Sequence, residues 1–247
     1  LLTQTFASPT TTKIIADFTT KYPNVRHVAF DTIASSEALD AFEAAYGVRA
    51  LADYDFSKAE TIVSVGADFL GDWQGGGYDG GYAKTRVPHK DHGKASMSKH
   101  FQFEANMTLS GANADIRVPA TPTAQKNILA HIYGALTGTA VSGSLSSAHK
   151  AKVNEAVSAL KAAGSKAVVV SGIEDKGAQA LVLAINNSLQ SEVMDASQPR
   201  MIRSENGEEV KAVIESVVAG TLGGLITVGI NPVNTLPEGE AFNGIDS

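Results

Sequence analysis

Three of the six histidines, His89, His92 and His100, fall within Lys84–His100 among Lys84, Arg86, Lys90, Lys94 and Lys99. His89 and His92 have a chelating spacing, but no third ligand or carboxylate stands at a definite distance to complete a metal site. The stretch reads instead as a solvated basic loop, or one that docks on an acidic or anionic partner, with Lys84, Arg86, His89, Lys90 and Lys94 as the contact residues. A second chemistry is suggested by glycines. Gly66 and Gly71 have the spacing of a phosphate-binding loop, yet Asp72 and Trp73 stand where a lysine and a hydroxyl would hold phosphate and magnesium. Gly75-Gly76-Gly77-Tyr78-Asp79-Gly80 matches the dinucleotide glycine pattern, but it begins well past the nearest strand and opens no clear helix. Trp73, the single tryptophan, could stack on a ligand or plug its loop onto the core. The common hydrolase, zinc-protease and calcium-loop signatures are absent.

With Cys at 0, the chain offers no thiolate for a cluster, a zinc site or a nucleophile, so any redox chemistry must be borrowed. Lys plus Arg is 20 and Asp plus Glu is 26, a net charge of −6 that argues against a partner made of nucleic acid. No window reaches the roughly 20 consecutive apolar residues that a membrane span needs. A length of 247 residues fits one large domain or two small ones. The start at Leu1-Leu2-Thr3, and an end with no element of its own, suggest an excised piece of a longer protein.

The elements that must position these residues alternate. Strands are expected at Arg26–Asp31, Thr61–Gly66, Lys166–Gly172 and Leu225–Ile230. The last three are nearly continuous apolar runs of the kind buried on both faces of a parallel sheet. Helices are expected at Thr10–Tyr22, Ser35–Tyr46, Pro122–Leu136, Ser147–Ala163, Lys176–Leu189 and Glu208–Ala219. Thr121 before Pro122, and Asn206 before Glu209, supply N-terminal caps, while Gly47, Gly164 and Gly220 follow helical runs. The pattern is α/β, parallel sheets flanked by helices. Residues 72–113 show neither period and read as a long Gly-rich and basic excursion. The small polar run Thr137–Ser147 divides a first α/β unit, 1–140, from a second, 141–247.

Ser8-Pro9-Thr10, the block Tyr54–Trp73 (YDFSKAETIVSVGADFLGDW) and the block Met97–Pro119 (MSKHFQFEANMTLSGANADIRVP) closely resemble one family. It is the molybdopterin-oxidoreductase-like iron–sulfur subunit, or B subunit, of bacterial alternative complex III, and the resemblance runs from about Ser8 to Pro237. More distantly, IVSVGADF, ADIRVPATPTAQ and ITVGINPVNTLP are similar to strand–turn elements of the wider molybdopterin oxidoreductase superfamily. The resemblance implies two Rossmann-like units, and a domain that has kept the fold while losing the molybdenum cofactor. It further implies iron–sulfur clusters elsewhere in a longer chain, other subunits of a membrane respiratory complex as partners, and a place on the periplasmic side of the inner membrane. The competing expectation is an active molybdenum oxidoreductase domain holding molybdopterin guanine dinucleotide at Gly66, Asp68, Gly71, Trp73, Gly172, Glu174, Asn231 and Pro232. Asp68, Asp72 and Glu174-Asp175 weigh against it, because carboxylates are unfavourable beside a pyrophosphate. A polar channel between the units would favour the cofactor, and a channel filled by side chains the scaffold.

Overall fold

A computed structural model describes residues 1–91, 94–236 and 238–244, the side chains of 89–91, 94, 95 and 244 excepted. The strands are β1 (Leu2–Thr3), β2 (Val28–Ala29), β3 (Leu51–Tyr54), β4 (Thr61–Val65), β5 (His89–Asp91), β6 (Lys94–Ser96), β7 (Lys99–Glu104), β8 (Ile116–Pro119), β9 (Ala167–Ser171), β10 (Met194–Arg200) and β11 (Thr227–Val228). The helices are α1 (Pro9–Lys21), α2 (Ser36–Tyr46), α3 (Asp79–Arg86), α4 (Leu109–Ala112), α5 (Pro122–Thr137), α6 (Ser147–Ala163), α7 (Lys176–Leu189), α8 (Gly207–Val218) and α9 (Pro232–Thr235). The fold is Rossmann-like α/β, parallel sheets flanked by helices.

The apolar runs of β4 and β9 are buried throughout and pair in parallel, Thr61 with Ala167 through Val65 with Ser171. They are the adjacent inner and outer strands of a four-stranded parallel sheet ordered β8-β7-β4-β9. Alternation of side chains sends Val63, Val65, Phe101, Phe103 and Val169 to one face, where α5, α6 and α7 cover them with Ile128, Leu129, Val157, Leu160 and Val182. Ile62, Val168 and Val170 point to the other face, under Phe42 of α2, Tyr82 of α3 and Phe56 of the turn after β3. β3 and β10 form an antiparallel pair beside this second face.

A small lobe is built from the two ends of the chain. β1 lies between β11 and β2, parallel to both, with Leu2 opposite Thr227 and Val28. Its core is Leu2, Val28, Val210, Ile214, Leu236 and Phe242. The two parallel sheets therefore do not follow the halves 1–140 and 141–247, since β9 inserts beside β4, and β11 beside β1.

The helical expectations hold to within a residue or so at their ends, with Ser8, Thr121 and Asn206 each accepting a backbone N–H of the first turn. Two expectations are corrected. Residues 72–113 are not an irregular excursion. They contain α3, the β5–β6 hairpin, β7 and α4, and the glycine run does lead into a helix at Asp79. Leu225–Ile230 is not buried on both faces either, because β11 is an edge strand of the small sheet and Val228 is 46% exposed.

β7 escaped the sequence pattern because its second face carries His100, Gln102 and Glu104, all buried. Each is satisfied along the strand. The Tyr82 hydroxyl lies 3.2 Å from His100 Nδ1, His100 Nε2 lies 3.1 Å from Gln102 Oε1, and Gln102 Nε2 donates to Glu104 Oε2 at 3.2 Å. Burial, first of all, pushes His100 down to about 4. The unfolded chain takes up this proton near pH 6.5, so the stability that neutral His100 contributes is complete above 6.5 and is lost as pH falls to about 4. The loss is roughly 3 kcal/mol at about 1.4 kcal/mol per unit. Urea titrations at pH 7, 5.5 and 4 are expected to show this acid limb, and to show it flattened in His100→Asn. An unchanged limb in the variant assigns the acid loss to other groups.

Candidate functional site at the strand ends

In chain order the large sheet runs to one side from β4 through β7 to β8 and then returns to place β9 on the other side. The reversal between β4 and β9 is a topological switch point, where open parallel sheets bind ligands outside the carboxyl ends of their strands. The chain leaves β4 at Gly66, with φ 74°, and β9 at Gly172. The two exits touch. Gly172 N–H donates to Val65 O at 3.0 Å, and a Cβ on Gly172 would come within 2.2 Å of Gly66 O.

A cavity of about 210 Å³ opens here. Trp73 and Gln74 wall it from the turn after β4, Ser35 and Glu37 from the start of α2, Gln179 from α7, and Arg203 from the β10–α8 connection. The turn carbonyls around it are already occupied. Trp73 Nε1 donates to Ser171 O at 3.2 Å, while its ring packs 5.6 Å from both Tyr54 and Tyr78, so the indole plugs its loop onto the core. Gln179 Nε2 donates to Ser171 O at 3.2 Å and to Ile173 O at 2.8 Å. Gln125 lies over Gly66, where a Cβ would meet its Oε1 at 2.5 Å. Gln74 sits in the left-handed region at φ 49°, and its Oε1 is buried with no hydrogen-bond partner among the described residues. The charges on the rim are Glu37, Asp72 and Glu174 against Arg203, whose Nη1 lies 3.5 Å from Asp31 Oδ2.

Of the residues named for a dinucleotide, Gly66, Trp73, Gly172 and Glu174 line this cavity together. Asp68 and Gly71 do not. Asp68 Oδ1 accepts from Ser110 N–H and Oγ–H, both at 2.8 Å, and a Cβ on Gly71 would meet Asp68 Oδ2 at 2.7 Å, so this pair locks the turn onto α4. Asn231 and Pro232 begin α9 in the small lobe and stand outside the lining. Gln179, Glu37 and Arg203 were missed. Gln179 carried a faint signal, an amide in the first turn of a helix directly behind a buried strand. Arg203 carried none, since its connection has no periodicity.

The basic contact residues fare unevenly. Lys84 is exposed at the end of α3. Arg86 is not free to meet a partner: its two Nη atoms grip Asp115 at 2.7 and 2.8 Å, and its guanidinium lies 5.6 Å from the Tyr82 ring. His89, Lys90 and Lys94 belong to the β5–β6 hairpin, their side chains falling outside the description, and His92 lies outside the described residues. Among the described residues, no group of three or more His, Cys, Asp and Glu could hold a metal, and no helix is long and apolar enough to cross a membrane. No protein-family model matches this sequence, and no curated protein is significantly similar to it.

Proposed function

We propose that the chain is a cofactor-less scaffold domain in a subunit of a membrane-attached quinol:electron acceptor oxidoreductase, supporting cluster-bearing parts and contacts with neighbouring subunits. The observation that carries this reading is the self-filled switch point. Gln125 lies over Gly66, Gly66 and Gly172 are in backbone contact, and Trp73 and Gln179 fold back onto Ser171 O, so the protein's own side chains fill much of the space at the two strand exits. The remaining 210 Å³ is below the roughly 300–1,000 Å³ of ordinary ligand cavities. Its rim carries three carboxylates against one guanidinium.

The second reading, a domain that binds molybdopterin guanine dinucleotide, is favoured by one observation, the convergence of Gly66, Trp73, Gly172 and Glu174 at the switch point. The residues there do not fit a pyrophosphate-linked dinucleotide, on volume or on charge. Lys84 is the remaining exposed candidate for a subunit contact on α3.

The test is molybdenum and tungsten content, with oxidised-pterin fluorescence, on the full-length subunit purified in its native membrane complex. Quinol oxidation without either metal or pterin is the expected outcome. Stoichiometric metal and pterin would reject the scaffold and make Gly66, Trp73 and Gly172 cofactor contacts.

A further inference from the structure

Two acids behind the cavity wall are buried together. Asp31, after β2, is 8% exposed, and Glu205, before α8, is 2% exposed. Each has one oxygen held by backbone from another part of the chain. Thr5 N–H, past β1, donates to Asp31 Oδ1 at 2.9 Å, and Ser35 N–H, at the start of α2, donates to Glu205 Oε1. Their other oxygens, Asp31 Oδ2 and Glu205 Oε2, are buried without a hydrogen-bond donor among the described residues. Thr5 ties the two acids' segments together, its N–H on Asp31 and its Oγ1 accepting from the N–H of Ser204, the residue before Glu205, and each carboxyl perturbs the titration of the other. Two neighbouring ionised carboxylates, each with a buried oxygen that no hydrogen bond satisfies, are costly. One proton on the pair turns one of those oxygens into a donor and satisfies both.

The charges that face the pair decide which acid keeps that proton. Arg203 Nη1 is 3.5 Å from Asp31 Oδ2. Arg49, from the turn after α2, donates through Nη2 to the Glu205 main-chain oxygen at 2.6 Å and spends Nη1 on Asp40 and Glu43. α8 adds only Glu208 and Glu209 in its first turn. Among the described residues, Glu205 thus lacks a cation paired with its carboxyl. Burial and the neighbouring Asp31 hold it above the usual carboxylate range. For Asp31, burial is outweighed by hydrogen bonds from Thr5 and Glu205 and by the charge of Arg203, which hold it below that range.

We infer that Asp31 and Glu205 share a single proton, and that this proton is a latch closing the small-lobe wall of the strand-end cavity. Both sides of the latch are cavity walls, since Ser35 and Arg203 line it and each is bonded to one of the two acids. The segment around Glu205 is the seam between the lobes: Ser204 N–H donates to Thr5 Oγ1 and Gly207 N–H to Ser36 Oγ, both at 3.0 Å. The contribution of Glu205 is whole below the pH at which an unfolded glutamate ionises, and is lost as pH rises through its raised folded value. The contribution of Asp31 is lost at the other end, as pH falls through its lowered value. A rise of pH through the raised Glu205 value therefore loosens the connection carrying Arg203 from the loop carrying Ser35. This device is independent of the scaffold reading.

Amide hydrogen exchange at Ser35 and Thr5, corrected for intrinsic rates, tests it between pH 5 and pH 9. Wild type is expected to lose protection at high pH by about tenfold for each unit by which the Glu205 value is raised. In Glu205→Gln the amide accepts from Ser35 and donates to Asp31 at every pH, so protection should stay flat. Asp31→Asn, which presents a permanent donor to Glu205, should flatten it as well. Protection that is independent of pH in wild type, or an equal alkaline loss in Glu205→Gln, would overturn the latch. So would a Glu205→Gln chain that fails to fold at pH 6, because the amide supplies the same donor and acceptor as the protonated acid.

Discussion

Arg117→Met is expected to lower the stability of the fold by about 3–5 kcal/mol, the cost of stranding a buried charge. Glu104, at the end of β7, is 2% exposed, and Arg117 Nε on the neighbouring strand β8 donates to its Oε1 at 2.6 Å. Its Oε2 is held at 2.7 Å by the Thr108 hydroxyl and at 3.2 Å by Gln102 Nε2. Neutral donors orient the carboxylate but do not balance its charge. The aliphatic stem of methionine keeps most of the packing, so the loss reports on electrostatics. The double variant Glu104→Gln, Arg117→Met should recover most of it, since the uncompensated charge is then gone. Urea midpoints of the two single variants and the double supply the cycle, and a loss under about 1 kcal/mol for Arg117→Met would show that solvent reaches Glu104 after all.

Gly172→Ala should cost more than about 3 kcal/mol, although it adds a single methyl group. The new Cβ would sit 2.2 Å from Gly66 O, 2.8 Å from Gly66 C and 3.0 Å from Ala67 Cα. All three obstacles are backbone, and none can rotate away. Relief requires the ends of β4 and β9 to part, which breaks the Gly172 N–H bond to Val65 O and strains the Ser171 hydroxyl bond to the same oxygen. Gly80→Ala is the matched control. It lies in α3 with nothing within 4 Å of the added carbon, so it should be neutral or slightly stabilising through helix propensity. Thermal melts of the two variants should diverge widely, and similar melting temperatures would mean that the strand exits are not as tightly apposed as the contact distances require.

These two sites also mark the boundary of what the sequence discloses. β4 and β9 were legible because TIVSV and AVVVS are apolar on both faces, as central parallel strands must be. Gly66, Gly172 and Glu174 were legible because ligand sites follow from strand ends and each stands within a few residues of one, and Trp73 because it belongs to the turn that follows β4. β7 was hidden by the chemistry that makes Arg117 important. His100, Gln102 and Glu104 are polar and look solvent-facing until Tyr82, Thr108 and Arg117, none of them on β7, are seen to satisfy them. β3 and β10 were hidden differently: they are a short irregular pair whose register shifts between Asp195 and Arg200, and a strand containing Pro199 has no period to detect. β11 misled in the opposite direction. Its apolar composition promised burial, but burial is decided by what stands beside a strand, and β11 ends a sheet of three. Arg203 and Glu205 belong to the same class as Arg117, ordinary polar residues whose meaning is fixed by partners on other segments of the chain, 170 positions away between Glu205 and Ser35.

The small lobe joins residues from opposite ends of the chain, with Leu2 pairing both Val28 and Thr227. On a ribosome that order of synthesis matters. The large sheet has all its strands once Ser171 has emerged, and its contacts can form while the rest is still being translated. β1 must wait. Until Val228 is made, Leu2 and Thr3 lack the strand that covers one of their edges, and the α8 residues Val210 and Ile214 that shield Leu2 arrive only slightly earlier. Between the emergence of Leu2 and that of Val228 the nascent chain thus carries an open strand edge, and the lobe that holds Asp31 and Glu205 becomes native only after the large sheet can.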